Sequence, residues 1–230
     1  MDRSPAISVC IPCYEMRDGL EFLKRSFEML EKQSFKDFEV VISDDSINDA
    51  VEVFVKNYKT LPIRYIKNMN GRGMAENTNC SLLYAEGSLL KILYQDDFLA
   101  HEDSLKNIVE NFPEDAQWLV TGCAHKPGTH THLPTWDDEI YKGKNTIGSP
   151  SVLTVRNHPK LELFENKLSW VLDCDYYYRL YKKYGLPIIL NDINVVIGVG
   201  EHQTTHLMGE ERKEAEIKHL IKKYDTSSKT

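Results

Sequence analysis

The sequence predicts an α/β domain in which parallel strands are joined by crossover helices. Two observations predict it. Over about the first 120 residues, short apolar runs alternate four times with amphipathic segments of helical spacing. Three of the runs end in polar turns: Asp44-Asp45-Ser46, Asn68-Met69-Asn70-Gly71-Arg72-Gly73 and Asp96-Asp97. In such a sheet all three turns fall on one side, the carboxyl-end side where α/β domains bind ligands.

The elements follow in order. Ile7-Ser8-Val9-Cys10-Ile11 reads as a buried strand stopped by Pro12. Asp18 is placed to cap a helix whose inward face carries Leu20, Leu23, Phe27 and Leu30. A second strand covers Phe38 to Ser43. Asn48-Asp49 opens a helix with Val51, Phe54, Val55 and Tyr58 inward. Ile63 to Ile66 is a third strand. A helix from Met74 to Ala85 follows, with Gly87 as its closing glycine. Leu89-Leu90-Lys91-Ile92-Leu93 is too short and apolar for a lone helix and reads as a buried parallel strand. A helix from Asp103 through Phe112 and a strand from Gln117 to Gly122 complete this half.

Composition narrows the function. Apolar residues make up 41% and charged residues 27%, with a formal charge of −7, the balance of a water-soluble globular chain. An acidic chain lacks the basic face that general nucleic-acid binding needs. No apolar run reaches the roughly 18 residues of a membrane span. The polar start, Met1-Asp2-Arg3-Ser4-Pro5, does not read as a signal peptide. Five scattered cysteines suit a reducing cytosol. Cys10 and Cys13 have C-x-x-C spacing, but Cys10 lies inside an apolar strand and no second pair exists to complete a zinc site.

The turns exclude several ligand classes. The turn after the first strand, Pro12-Cys13-Tyr14-Glu15, has no glycine until Gly19, so there is no dinucleotide fingerprint. Gly71-Arg72-Gly73-Met74-Ala75-Glu76 lacks the third glycine, and neither a P-loop nor a G-x-S-x-G elbow is present. What remains is acidic strand ends. Adjacent carboxylates repel, so Asp96-Asp97 calls for a cation or a donor network. A diphosphate at such a site would be held through a hard divalent ion on oxygen ligands.

These pieces, in this order, resemble an inverting glycosyltransferase of family 2 with the GT-A fold. The match runs from Val9–Glu15 through Gln33–Ser46, Asn70-Gly71, Ala75-Glu76-Asn77 and Ala85-Glu86-Gly87 to Tyr94-Gln95-Asp96-Asp97. It continues more thinly through Gly148-Ser149-Pro150-Ser151, similar to an acceptor-side loop, and Trp170–Tyr176, similar to a Glu-Asp-x-Asp helix start.

The resemblance implies a mixed central sheet flanked by helices in one domain spanning residues 1–230. About 1–122 would form the nucleotide-binding half and about 123–230 the acceptor-side half. It implies roles as well. Pro12, Tyr14 and Glu15 would lie along the nucleotide, Asp44 and Asp45 would read base and ribose, and Arg72 would approach base or phosphate. Asp96 would sit near the ribose. Asp97 and His202 would contact Mn2+ or Mg2+, and Asp173 would be the catalytic base. The donor would be a nucleoside-diphosphate sugar, UDP-linked by family frequency, and the acceptor a hydroxyl on a glycan, lipid-linked intermediate or protein. The expected place is the cytosol, peripheral to a membrane.

Two positions depart from the pattern: Tyr94 replaces the first acid of Asp-x-Asp-Asp, and Leu172 replaces the Glu before the base. Gln203-Thr204-Thr205-His206-Leu207 does not match the Q-x-x-R-W of processive synthases, which points to single-sugar transfer. Two alternatives stand. A nucleotidyltransferase shares the sheet and the acids but wants a Gly-rich, basic first loop. A non-catalytic nucleotide-sugar-binding protein would explain Leu172.

Elsewhere, Asp175 would raise the pKa of Asp173 by repulsion while the helix N-terminus lowers it. His125, His130 and His132 read as part of a solvated loop. Glu210 to Lys223 reads as a docking helix with Ala215, Ile217, Leu220 and Ile221 on its apolar side, and Ser227-Ser228-Lys229 as a frayed end.

Overall fold

The computed structural model describes residues 4–126, 129–201 and 203–225. The elements run β1 (Ile7–Cys13), α1 (Gly19–Glu31), β2 (Phe38–Asp44), α2 (Ala50–Asn57), β3 (Ile63–Lys67), α3 (Met74–Leu83), β4 (Leu89–Ile92), β5 (Phe98–Leu99) and α4 (Ser104–Glu110). Then come β6 (Trp118–Lys126), β7 (Thr129–His132), two 3-10 turns (Ile140–Lys142 and Pro150–Val152) and β8 (Leu153–Arg156). α5 (Leu172–Tyr184), β9 (Ile188–Val196), α6 (Thr204–Leu207) and α7 (Glu210–Asp225) complete the order.

The sheet order is β3-β2-β1-β4-β8-β6-β9-β5, with β7 paired to β6. β1 lies parallel between β2 and β4 and is buried along its whole length, which explains its unbroken apolar run. β8 enters antiparallel between β4 and β6, and β9 returns parallel to β6, so the sheet is mixed. Among the described residues no helix is long and apolar enough to cross a membrane.

Several local expectations are corrected. β1 continues through Pro12 to Cys13, because β4 pairs with β1 only as far as Cys10 and the missing N–H falls beyond that ladder. Asp18 occupies the N-cap position of α1 with φ 60° but its side chain makes no capping bond. Leu20 points outward, one residue off the buried stripe of Leu23, Phe27 and Leu30. Gly87 does not close α3; its N–H donates to Ser8 Oγ at 2.8 Å, and a Cβ there would stand 2.5 Å from the Ser8 nitrogen. His132 lies in β7, hairpinned to β6, where a loop was expected. On α7 the buried residues are Lys213, Glu216 and Leu220, with Ile217 packed beside them and Ala215 exposed. All five cysteines are free and buried, and Cys10 and Cys13 both lie in β1. The end at Ser227-Ser228-Lys229 lies outside the described residues.

Candidate active site

A cleft of about 720 Å³ opens over the carboxyl ends of β1, β2 and β4 and faces the start of α5. Pro12, Tyr14, Glu15, Asp45, Arg72, Asp96, Asp97 and Asp173 all line it. Asp44 does not. His202 lies outside the described residues.

The two vicinal acid pairs behave differently. Asp44 is fully buried beneath the cleft. Its Oδ1 accepts from the Ser46 N–H, and its Oδ2 accepts from Tyr65 Oη at 2.6 Å and Lys67 Nζ at 3.1 Å. Desolvation pushes its carboxyl up, but the bonds from Ser46, Tyr65 and Lys67 outweigh it and hold the group below its ordinary range. Asp45 faces the cleft. It accepts from the Gly73 N–H at 2.7 Å, and Arg72 Nη2 reaches across to the Asp45 carbonyl at 2.9 Å. Glu15 Oε2 accepts from the Ile47 N–H at 2.6 Å, so the β1 and β2 loops are tied together.

Asp97 is 2% exposed and accepts from the Gly198 N–H at 2.7 Å. Burial first, and the adjacent Asp96 second, push its carboxyl well above the usual range. Beneath it the fully buried Lys91 has its ammonium pushed down to about 7 by burial and donates to the Ser151 carbonyl. The Asp96 carbonyl accepts from Arg25 Nη2 at 2.7 Å.

Asp173 lies in the first turn of α5, not at its N-cap, which is Val171. Its Oδ1 accepts from the Cys174 N–H and its Oδ2 from Asn145 Nδ2, both at 2.7 Å. Desolvation raises its pKa to about 6 against the lowering effect of those bonds. The expected repulsion from Asp175 is not the cause. Asp175 turns away into bonds with Arg179, Lys223 and Tyr224, which neutralise it locally.

Sequence reasoning missed the groups that hold these acids. Gln95 accepts from the Tyr14 N–H and donates to the Gly19 carbonyl, fixing the loop after β1 from the acid turn. Asn77 donates to the Cys13 carbonyl and accepts from Ser43 Oγ, bracing two strand ends. Gly198 packs so tightly on Asp96 that a Cβ would stand 2.5 Å from the Asp96 carbonyl oxygen. A glycine leaving a strand was the visible signal for it; Asn145 offered none.

The profile of glycosyl transferase family 2 matches residues 8–186. The chain belongs to that family. Among curated proteins, family relatives include the abequosyltransferase RfbV of Salmonella typhimurium, 32% identical over 152 residues, covering 61% of this chain and 45% of that protein. Another is the GalNAc(5)-diNAcBac-PP-undecaprenol beta-1,3-glucosyltransferase of Campylobacter jejuni, 31% identical over 122 residues, covering 52% of this chain and 38% of that protein. The chain thus spans less than half the length of either relative. Among solved structures, S. aureus TarS 1-349 in complex with UDP-GlcNAc superposes with TM-score 0.68 at 18% identity, covering 94% of this chain and 65% of that one. The mannosyltransferase PcManGT of Pyrobaculum calidifontis, with GDP-Man and Mn2+, gives TM-score 0.63 at 17% identity, covering 87% and 59%. The fold is that of the GT-A glycosyltransferases, with a mixed sheet as expected.

Proposed function

We propose that this family 2 domain moves one sugar from a nucleoside-diphosphate donor, UDP-linked, to a hydroxyl acceptor with inversion at the anomeric carbon. The observation that carries the reading is the cleft itself. Asp45 and the Asp96-Asp97 turn line it from the strand ends, and Asp173, with pKa about 6, lines it from the start of α5. A general base works best with a pKa near the working pH. Asp173 takes the acceptor hydroxyl proton as that oxygen bonds to the anomeric carbon. The bond from that carbon to the diphosphate oxygen breaks on the other face.

Asp45, Arg72, Tyr14 and Glu15 are assigned to the nucleoside, and Asp44 to bracing that loop from beneath. A divalent ion fits the donor set. Asp97 reaches the cleft beside Asp96, and a divalent charge offsets the burial and the Asp96 repulsion that now raise it. Among the described residues no cluster of three or more His, Cys, Asp or Glu forms a cage. Asp97 would hold the ion, and when bound the ion would neutralise charge on the departing diphosphate. UDP is supported by the uridine ligand of TarS, and a lipid-linked acceptor and peripheral membrane location by the undecaprenol-linked substrate in a relative's name.

Thermal shift and calorimetry with UDP, GDP and dTDP, each with and without manganese, test the reading. UDP should raise Tm, more so with manganese, and Asp97→Asn should remove the manganese-dependent part. No response to any of the three nucleotides sinks the reading; a response to GDP alone overturns the base assignment.

A further inference from the structure

We propose that Glu216 is a positioning residue for Asp173: from α7 it clamps the backbone on which α5 begins, and so sets where the base stands. The proposal rests on the reading of Asp173 as the base. Ser169, Trp170 and Val171 are the three residues before α5, and N–H groups at a helix start have no partner within the helix. All three donate to this one carboxylate. Glu216 Oε2 accepts from Trp170 N at 2.8 Å, Ser169 N at 3.1 Å and Val171 N at 3.3 Å. Glu216 is 7% exposed, and a buried carboxylate is costly without such donors.

The contact is not an ordinary cap, because the carboxylate comes from a separate helix more than forty residues along the chain. The same two helices are tied again in the opposite sense. Asp175 on α5 accepts from Lys223 Nζ at 2.7 Å and Tyr224 Oη at 2.6 Å on α7. With one carboxylate clamp in each direction, α5 cannot slide or rotate on α7 without breaking one. Ser169, Trp170 and Val171 line the cleft together with Asp173. Glu216 sets their backbone, while Cys174 and Asn145 orient the carboxylate. Glu216 also lies beyond residues 8–186, the segment the family profile matches.

Charged groups of α7 face the clamped segment: Lys213 Nζ lies 5.5 Å over the Trp170 ring, and Arg212 Nη2 donates to Ser169 Oγ at 3.1 Å. Arg212 Nε stands 3.7 Å from Glu216 Oε1. Cys174, Tyr94 and Tyr177 near Asp173 are pushed upward by burial and stay neutral near pH 6.

The experiment uses the full chain, labelled with nitrogen-15. The Cys174 N–H donates to Asp173, so its NMR resonance reports both the position and the titration of the base. The variants are Glu216→Ala, Glu216→Gln, Asp173→Asn and, as a control, Lys218→Ala on the exposed side of α7. Asp173→Asn should abolish the Cys174 titration. Glu216→Ala should move the resonance and lower its midpoint from about 6 by about half a pH unit, because the uncovered helix start favours the carboxylate. Glu216→Gln keeps an acceptor oxygen and should fall between, and Lys218→Ala should match wild type. In turnover, read as UDP release from a UDP-sugar, Glu216→Ala should keep UDP affinity and lose about tenfold or more in kcat.

A Glu216→Ala protein with wild-type Cys174 resonance, midpoint and kcat, beside an inactive Asp173→Asn, overturns the proposal. So does failure of both Glu216 variants to fold, which would make the residue a folding determinant. If Asp173→Asn keeps wild-type kcat, the base reading fails instead, and the Cys174 resonance still decides whether Glu216 fixes the start of α5.

Discussion

The two walls of the cleft are built in different ways. On the strand-end wall Asp44 closes β2 and the parallel register aligns its turn with the neighbouring strand ends, while Asp96-Asp97 lie in the turn between β4 and β5. Cys13 pairs with Asp44, and Asp44 pairs with Lys67, in consecutive strands. On the α5 wall Asp173 depends on chain far away: Asn145 holds its Oδ2, and Glu216 holds the backbone before it. The β1 to β3 ends of the first wall are fixed by sheet register, whereas Asp97 also takes the Gly198 N–H from the far end of the chain. The second exists only when the 143–151 loop, α5 and α7 have all docked. Damage to the first should appear as lost nucleotide binding, and damage to the second as lost turnover with binding intact.

The largest expected effect tests that division directly. Asp173→Asn should lower kcat on the order of 10²–10⁴-fold while UDP affinity stays near wild type. It should also make the protein more stable above pH 6. In the folded chain Asp173 ionises near 6 against an ordinary 3.8, so the unfolded chain loses this proton first as pH rises. The resulting penalty grows between about 4 and 6, persists above, and is absent in the Asn variant. Melting curves at pH 4 and pH 7.5 should show a gap between variant and wild type only at the higher pH. A variant that loses nucleotide binding along with turnover would break the division between the walls.

The second test divides the strand-end wall itself. Asp44→Ala removes a buried charge with three donors and should cost about 3 kcal/mol of stability. Its wild-type contribution has the opposite pH sense from that of Asp173. The folded pKa is lowered, so the stabilisation is present above 3.8 and lost as pH falls through the lower folded value. Asp45→Ala, a cleft-facing and partly exposed neighbour, should cost under about 1 kcal/mol and instead weaken UDP binding about tenfold. Denaturant titration and calorimetry on the two variants read the contrast. Equal stability losses would show that both acids serve the fold.

The same contrast explains what was legible in the sequence. The alternation of strands and helices, and the acids at strand ends, are local patterns, so β1 to β4 and the Asp96-Asp97 turn could be read directly. Asp44 and Asp45 read alike in the sequence, yet only Asp45 lines the cleft and Asp44 is buried, because vicinal residues point to opposite sides of a strand. β8 and β9 went unread because their partners are set by non-local pairing. Gly87 was read as a helix stop because its real constraint, the Ser8 backbone at 2.5 Å, lies in another strand. Asp175 was expected to perturb Asp173, but its partners Lys223 and Tyr224 come from α7. Nothing near residue 175 in the sequence announces them.

The smallest expected effect concerns Asn145, the long-range contact closest to the base. Its Nδ2 donates to Asp173 Oδ2 at 2.7 Å and to the Gly148 carbonyl at 2.9 Å, while its Oδ1 accepts from the Ile147 and Gly148 N–H groups. One side chain thus both steadies the loop and favours the ionised base. Asn145→Ala removes both effects, so a rate loss alone would not separate them. Asn145→Asp does. An aspartate still accepts from Ile147 and Gly148, so the loop keeps those two turns and loses only the bond to the Gly148 carbonyl, but it cannot donate to Asp173 and adds a negative charge beside it. Both changes disfavour the ionised base, so the acid limb of the kcat profile, near 6 in wild type, should move upward by about one unit. At pH 6 the variant should be several-fold slower, and by pH 8 most of the difference should be gone. If the rate falls equally at every pH, Asn145 acts through the loop alone, and the α5 wall is held by backbone geometry instead of by the charge on Asp173.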